Sequence, residues 1–123
     1  MTYNKDMTLA EFLSKIKQQE ENIEFEQVMQ VINDNYHYHP VFFTNGELVN
    51  EAGTNEGSCK IFYFAQLNEL NQQQTLACFG RYYREDVLAK PTGSDHANIR
   101  NFIKTGWQGI DFTSVALKVI EVM

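Results

Sequence analysis

The chain has 123 residues, enough for one hydrophobic core and too few for two. With 43% hydrophobic and 13% aromatic residues it falls among folded globular domains, which excludes wholesale disorder. Its 16 acidic residues against 10 basic ones give a net charge of −6, which repels phosphate backbones and argues against nucleic acid as a partner.

No apolar run approaches the roughly 20 residues that cross a bilayer, so no membrane partner is expected. Residues 1–7 lack the charged start and apolar stretch of a secretory signal. Two cysteines, Cys59 and Cys78, are too few and too isolated for a disulfide framework. The expectation is a reduced, cytoplasmic protein with no cofactor.

Thr8-Leu9-Ala10-Glu11 is a capping-box pattern, with Met7 and Phe12 placed as a hydrophobic staple. Leu9, Phe12, Leu13 and Ile16 then form an apolar stripe before a polar run over 17–22. A second helix follows, in which Phe25, Val28, Met29 and Ile32 repeat at i, i+3, i+4 and i+7. The two are expected to pair as an αα-hairpin. Val41-Phe42-Phe43-Thr44 is β-prone, Asn45-Gly46 signals a hairpin turn, and Glu47-Leu48-Val49 returns. Residues 50–58 form a loop rich in Gly and Asn (Gly53, Asn55, Gly57). Long loops of this kind often carry binding or catalysis.

A third helix should open at Ser58 and run through Ile61, Phe62, Phe64, Ala65 and Leu67. It is apolar on nearly every side, hence buried. Asn71 should cap a fourth helix with Leu76, Phe79, Tyr83 and Val87 on one face, ended by Pro91, Thr92 and Gly93. Ser94 or Asp95 should cap a short fifth helix carrying Ile99, Phe102 and Ile103, with Gly106 as a left-handed C-cap. Ile110, Phe112, Val115, Leu117, Val119 and Val122 suggest a final strand. The expected fold is α+β, a single domain over 1–123. About five helices would pack on a small sheet made by the 41–49 hairpin and the C-terminal strand. A helix-only domain with a stray hairpin is the alternative.

Chemistry-bearing residues concentrate between positions 50 and 110: Asn55, Gly57, Ser58, Cys59, Arg81, Arg84, Asp95, His96, Asn98, Arg100 and Asn101. Polar groups placed near a core must be hydrogen-bonded or in use. One reading makes Cys59 a thiol nucleophile in the first turn of the third helix, where the helix dipole lowers a thiol pKa. His96 would be its base, oriented by Asp95 or Asn98. The bland counterpart makes Cys59 a small buried residue and Asp95 a helix cap.

A second reading is an anion pocket. Arg84 and Arg100 would grip a carboxylate or phosphate, the helix start after Gly57-Ser58 would supply N–H donors, and Asn55, Asn98 and Asn101 would add directional bonds. Its counterpart pairs Arg84 with Asp86 or Glu85, and Arg100 with Asp95, as ordinary ion pairs. His37 and His39 share one face if extended, but two imidazoles without a third ligand make an incomplete site, so no metal is expected. Trp107, flanked by Gly106 and Gly109, reads as a residue that closes the core.

Three segments together resemble the HopJ-type family, whose members are described as type III effectors. They are Asn50-x-Ala52-Gly53-x-Asn55-x-Gly57-Ser58-Cys59-Lys60-x-Phe62-x-Phe64-Ala65, Thr75-Leu76-x-x-Phe79-Gly80-x-Tyr82-Tyr83-Arg84-x-Asp86-Val87-Leu88, and Asp95-His96-x-Asn98-Ile99-Arg100-Asn101-Phe102. Trp107-x-Gly109-Ile110 completes the pattern, so the likeness runs from roughly Phe25 to Phe112. The family carries no established reaction. The resemblance implies export into a host, yet effectors usually begin with a disordered export signal, whereas here a helix is signalled from Thr8. The expectation is a resident cytoplasmic relative that binds a small anionic ligand or a protein partner through a polar cleft. A cysteine-dependent hydrolase or transferase and a secreted effector acting on a host protein are the alternatives. All of them require the loop before the third helix and the start of the fifth to share one partly dry cleft.

Overall fold

The computed structural model describes residues 7–120, and the readings that touch residues 1–6 and Val122 lie outside them. Helix α1 (Leu9–Gln18) begins as its sequence demands. Thr8 Oγ1 accepts from the Glu11 N–H at 3.1 Å, and the Glu11 carboxylate accepts from the Thr8 N–H at 2.9 Å. Met7 lies partly buried against the core. After a 3₁₀ turn (Glu20–Asn22) the chain returns as α2 (Phe25–Asn35). The two helices pack together, burying Phe12 and Ile16 of α1 and Val28, Val31 and Ile32 of α2.

Helix α2 passes directly into β1 (Tyr36–Tyr38), followed by β2 (Phe43–Asn45) and β3 (Leu48–Asn50). The hairpin turn is Gly46–Glu47, with Asn45 still paired opposite Leu48, so Asn45 belongs to the strand rather than to the turn. Gly46, at φ +62, supplies the positive φ that a glycine-first hairpin turn needs.

The single sheet expected from the sequence is two small antiparallel sheets. The C-terminal tail splits into β4 (Ile110–Phe112), which pairs with β2, and β5 (Leu117–Val119), which pairs with β1. The split has a local cause. Thr113 bonds the Phe42 carbonyl with both its N–H (3.2 Å) and its hydroxyl (2.9 Å), which ends the first pairing and turns the chain toward the second.

Helix α3 (Glu56–Leu67) is the buried helix the composition announced, although it opens two residues before Ser58. Phe62, fully buried, lies with its ring 4.9 Å from Phe102, 5.5 Å from Phe79 and 6.1 Å from Phe43 between centroids. Burying one such side chain is worth roughly 1.5–3 kcal/mol, so this aromatic centre dominates the packing. Trp107 closes it, standing edge-on to Phe102 and donating Nε1–H to the Leu70 carbonyl at 3.2 Å.

The long fourth helix expected over 71–87 is broken. Asn71 caps α4 (Gln72–Ala77) as foreseen, but Gly80 adopts φ +61, and a Cβ there would lie 2.7 Å from the Phe25 backbone nitrogen. The close approach to α2 wins over helix continuity. The chain resumes as a π-helical turn (Tyr82–Val87) and then as α5 (Ala97–Thr105). Gly106 ends α5 at positive φ, but with ψ −154 it is extended rather than left-handed helical.

Candidate functional site

Three asparagines are buried beside the hairpin: Asn45 and Asn50 on its strands, and Asn98 in the first turn of α5. Burying an unbonded amide costs several kcal/mol, so these side chains have to satisfy one another. Asn98 Nδ2 donates to Asn50 Oδ1 at 2.9 Å, and Asn50 Nδ2 returns a bond to Asn98 Oδ1 at 3.2 Å. Asn45 Nδ2 donates to the Asn98 backbone carbonyl and side-chain oxygen, at 2.8 and 3.0 Å. Asn55 Nδ2 reaches Asn50 Oδ1 at 2.8 Å. Only Asn45 Oδ1 lacks a partner among the buried side-chain polar atoms of the described residues. The network ties the starts of α3 and α5 to the same hairpin.

Both starts are built alike. The N-caps, Asn55 and His96, sit in the left-handed region at φ 50 and 52, and neither side chain caps its own helix. Asparagine and histidine are among the few non-glycine residues that tolerate this conformation. The first N–H taken up within α3 is that of Cys59, on Asn55 O, and within α5 that of Arg100, on His96 O. The N–H groups of Glu56, Gly57 and Ser58, and those of Ala97, Asn98 and Ile99, find no protein acceptor among the described residues. The acid in the first turn of α3, Glu56, accepts instead from the Tyr38 hydroxyl at 3.2 Å.

Between these two helix starts lies a cleft of about 370 Å³. Asn55, Gly57 and Ser58 line one side, and His96, Ala97 and Asn98 the other. Phe25, Phe79, Tyr82, Leu48 and Ile99 make its apolar surface. A Cβ at Gly57 would come 3.0 Å from Phe25 Cζ, so glycine keeps that wall in place. Among the described residues no Asp, Glu, Lys or Arg lines the cleft. His96 is held from two directions by the π-helical turn. Its Nε2 lies 3.0 Å from Asp86 Oδ2, and its ring packs 5.3 Å from that of Tyr82. A second hollow, of about 470 Å³, is lined by His37, His39, Ser114 and Lys118 beside β1 and β5. Among the described residues no group of three or more His, Cys, Asp or Glu is arranged to hold a metal ion.

Of the residues singled out in the sequence, Asn55, Gly57, Ser58, His96 and Asn98 meet in the cleft, and the others do not. Cys59 is buried away from it, with Tyr38 and Val41 as neighbours, and burial pushes its thiol pKa up. A thiol held protonated beside Tyr38 is the opposite of an activated nucleophile. Among the described residues no hydrogen bond joins Cys59 to His96, whose Nε2 faces Asp86 instead, and of the two only His96 lines the cleft. Asp95 does not cap α5. Its carboxylate lies 2.6 Å from Arg100 Nη2, whose hydrogen bond holds the carboxyl below the usual carboxylate range. A charged bond to a guanidinium outcompetes a bond to a backbone N–H.

Neither arginine lines the cleft. Arg84 donates Nη1–H to the Ile23 carbonyl at 2.8 Å, and Arg100 donates to the Lys90 carbonyl at 2.8 Å besides Asp95. Both brace loops, Arg84 at the carbonyl of the buried Ile23 and Arg100 at the exposed loop through Lys90. Asn101 likewise braces the hairpin, donating to the Asn45 carbonyl.

The sequence reading missed Asn45, Asn50, Tyr82 and Asp86. Asp86 stands four residues after Tyr82, a spacing that puts both on one side of a helical turn. That was the one signal available for the acid partner of His96.

A crystal structure described as that of a protein of unknown function, VPA0580, is 52% identical to this chain. The match covers 98% of this chain and all of that one, with a TM-score of 0.92. No curated protein matches the chain. The family described as HopJ type III effector protein matches residues 9–117, nearly the whole of the α+β domain, and on that match the chain belongs to the HopJ family.

Proposed function

We propose that the cleft between the starts of α3 and α5 binds a small organic anion, a carboxylate with an apolar body. One observation carries the reading. At two helix N-termini, five unclaimed N–H groups, those of Gly57, Ser58, Ala97, Asn98 and Ile99, belong to residues that line one cleft, and among the described residues no acidic side chain lines it. Each helix start carries about half a positive charge, and backbone donors suit a planar carboxylate. With no Lys or Arg among the described residues that line it, a dianionic phosphate would be undercompensated. The aromatic walls suit a hydrocarbon body, and the volume is that of a small-molecule site rather than of a protein docking groove. The two free thiols suit a reducing cytoplasm, and no helix among the described residues is long and apolar enough to cross a membrane. The acidic surface disfavours nucleic acid.

Thermal unfolding with phenylacetate, and separately with inorganic phosphate, tests this. A carboxylate present at 100 times its dissociation constant adds about 2.7 kcal/mol, an upward shift of several degrees in a domain this size. Ser58→Asp places a fixed charge at the mouth of α3 and should abolish the phenylacetate shift. A shift that survives Ser58→Asp, or none with any carboxylate, ends the proposal. The family description supports a second reading, delivery into a host cell. A reporter fusion that leaves the bacterium only when the type III apparatus is intact would carry it, and one that is retained removes it.

A further inference from the structure

From the Asp86–His96 pair we infer that the cleft is a hydrolytic site, splitting small carboxylic esters with His96 as general base and Asp86 as its positioning residue. The inference rests on the cleft reading above, and a carboxylate is the product it would leave there.

Three features of the imidazole carry the argument. A carboxylate can only accept, so the 3.0 Å contact to Asp86 Oδ2 fixes the proton on Nε2 and leaves Nδ1 as the basic nitrogen. Tyr82 packs against the ring at 5.3 Å and is itself wedged edge-on by Phe25 at 5.2 Å, so the plane of the ring is set. The backbone of His96 is kept at φ 52, a conformation retained at a cost and common where geometry serves function. The π-helical turn supplies Asp86 and Tyr82 together, and such turns are frequent at functional sites. His96 lines the cleft together with Gly57, Ser58, Ala97, Asn98 and Ile99, whose N–H groups are unclaimed, so a base and oxyanion donors border one cavity.

The step balances without a cofactor. Nδ1 takes a proton from water as its oxygen bonds to the ester carbonyl carbon, and the carbonyl electron pair moves onto oxygen, held by backbone N–H groups. The tetrahedral species then collapses, the acyl carbon–alkoxy oxygen bond breaks, and the imidazolium returns its proton to the departing alcohol. The acid formed ionises and releases one proton to solvent.

The experiment is hydrolysis of ethyl phenylacetate by the full chain, followed by proton release in a pH-stat. This ester has no activated leaving group, which keeps the background of free imidazole low. His96→Asn retains a residue that accepts the left-handed backbone, and should lower kcat by roughly 10²–10⁴. Asp86→Asn should lower kcat by a comparable factor while KM and phenylacetate affinity stay as in the wild type, which a merely structural role would not allow. A wild-type rate no higher than that of His96→Asn, with phenylacetate still bound, overturns the hydrolytic inference and leaves the binding cleft standing. Loss of both hydrolysis and phenylacetate binding in the wild type brings down both. A fall in affinity parallel to kcat in Asp86→Asn overturns the positioning role.

Discussion

Helices α1 and α4 begin in one way, and α3 and α5 in another. At α1 and α4, Thr8 and Asn71 are extended at their caps, bond the first turn with their own side chains, and are bonded back by Glu11 and Gln74. At α3 and α5 the caps are left-handed, the side chains are engaged elsewhere, and the first-turn donors stay open toward a cleft. A helix start normally disposes of its orphan N–H groups locally, because leaving them unbonded costs stability. Two starts left open, at the same place, are a feature the rest of the molecule has to hold in position. The asparagine network does that.

The largest expected effect therefore comes from cutting the network. Asn98→Ala leaves Asn50 Nδ2 without an acceptor in the buried interior, and reduces Asn45 Nδ2 to its bond with the residue 98 carbonyl and Asn50 Oδ1 to its bond from Asn55. An orphaned buried amide costs about 1–3 kcal/mol, and with two further bonds lost the total should be roughly 2–3 kcal/mol, read as a lower urea midpoint. If Asn98→Ala unfolds at the wild-type midpoint, the network is decorative and the two helix starts are held by something else.

Smaller changes separate the two kinds of start directly. Thr8→Ala and Asn71→Ala remove working caps and should each cost about 1 kcal/mol. Ser58→Asp, in the first turn of the open helix α3, should do the reverse and add a few tenths of a kcal/mol, because a carboxylate there meets unclaimed donors and the positive end of the dipole. A stabilised variant that no longer binds phenylacetate would show that the donors had been held back for a ligand. A destabilised Ser58→Asp would mean that the donors are already satisfied.

How much of this was legible follows from how local each feature is. The capping boxes at Thr8 and Asn71, the buried helix through Phe62 and Phe64, and Trp107 as a closing residue depend on neighbours within a few positions, and the sequence displays them. Gly80 was visible as a glycine but not as a break, because its positive φ answers the backbone of Phe25, 55 positions away. The division of the tail between two sheets depends on Thr113 meeting Phe42, and Asn45 looked like a turn residue because its partner Asn98 is 53 positions downstream. The meeting of the 50–58 loop with the start of α5 followed from their shared density of polar residues. The identities of the partners did not. Asp95 precedes His96 and drew attention as its orienting acid, while Asp86, on a turn whose π-helical winding no periodicity announced, makes the shorter contact at 3.0 Å against 3.9 Å.

Asp95 also gives the finest test of the comparison. Its carboxyl is held below the usual carboxylate range, chiefly by the hydrogen bond from Arg100, so the folded chain takes up that proton less readily than the unfolded chain. The associated stability is present above the ordinary aspartate value of about 4 and is lost as the pH falls through the lower folded value. Asp95→Asn should accordingly be less stable than the wild type at pH 7, by a small margin for so exposed a pair, with the gap closing below about pH 4. Paired urea curves at pH 7 and in acid read the difference. The sign matters for α5, because a carboxylate locked to Arg100 is one that cannot close the neighbouring helix start. A gap that persists unchanged in acid would mean that Asp95 acts as an uncharged cap after all, and α5 would then join α1 and α4 among the helices that satisfy their own first turn.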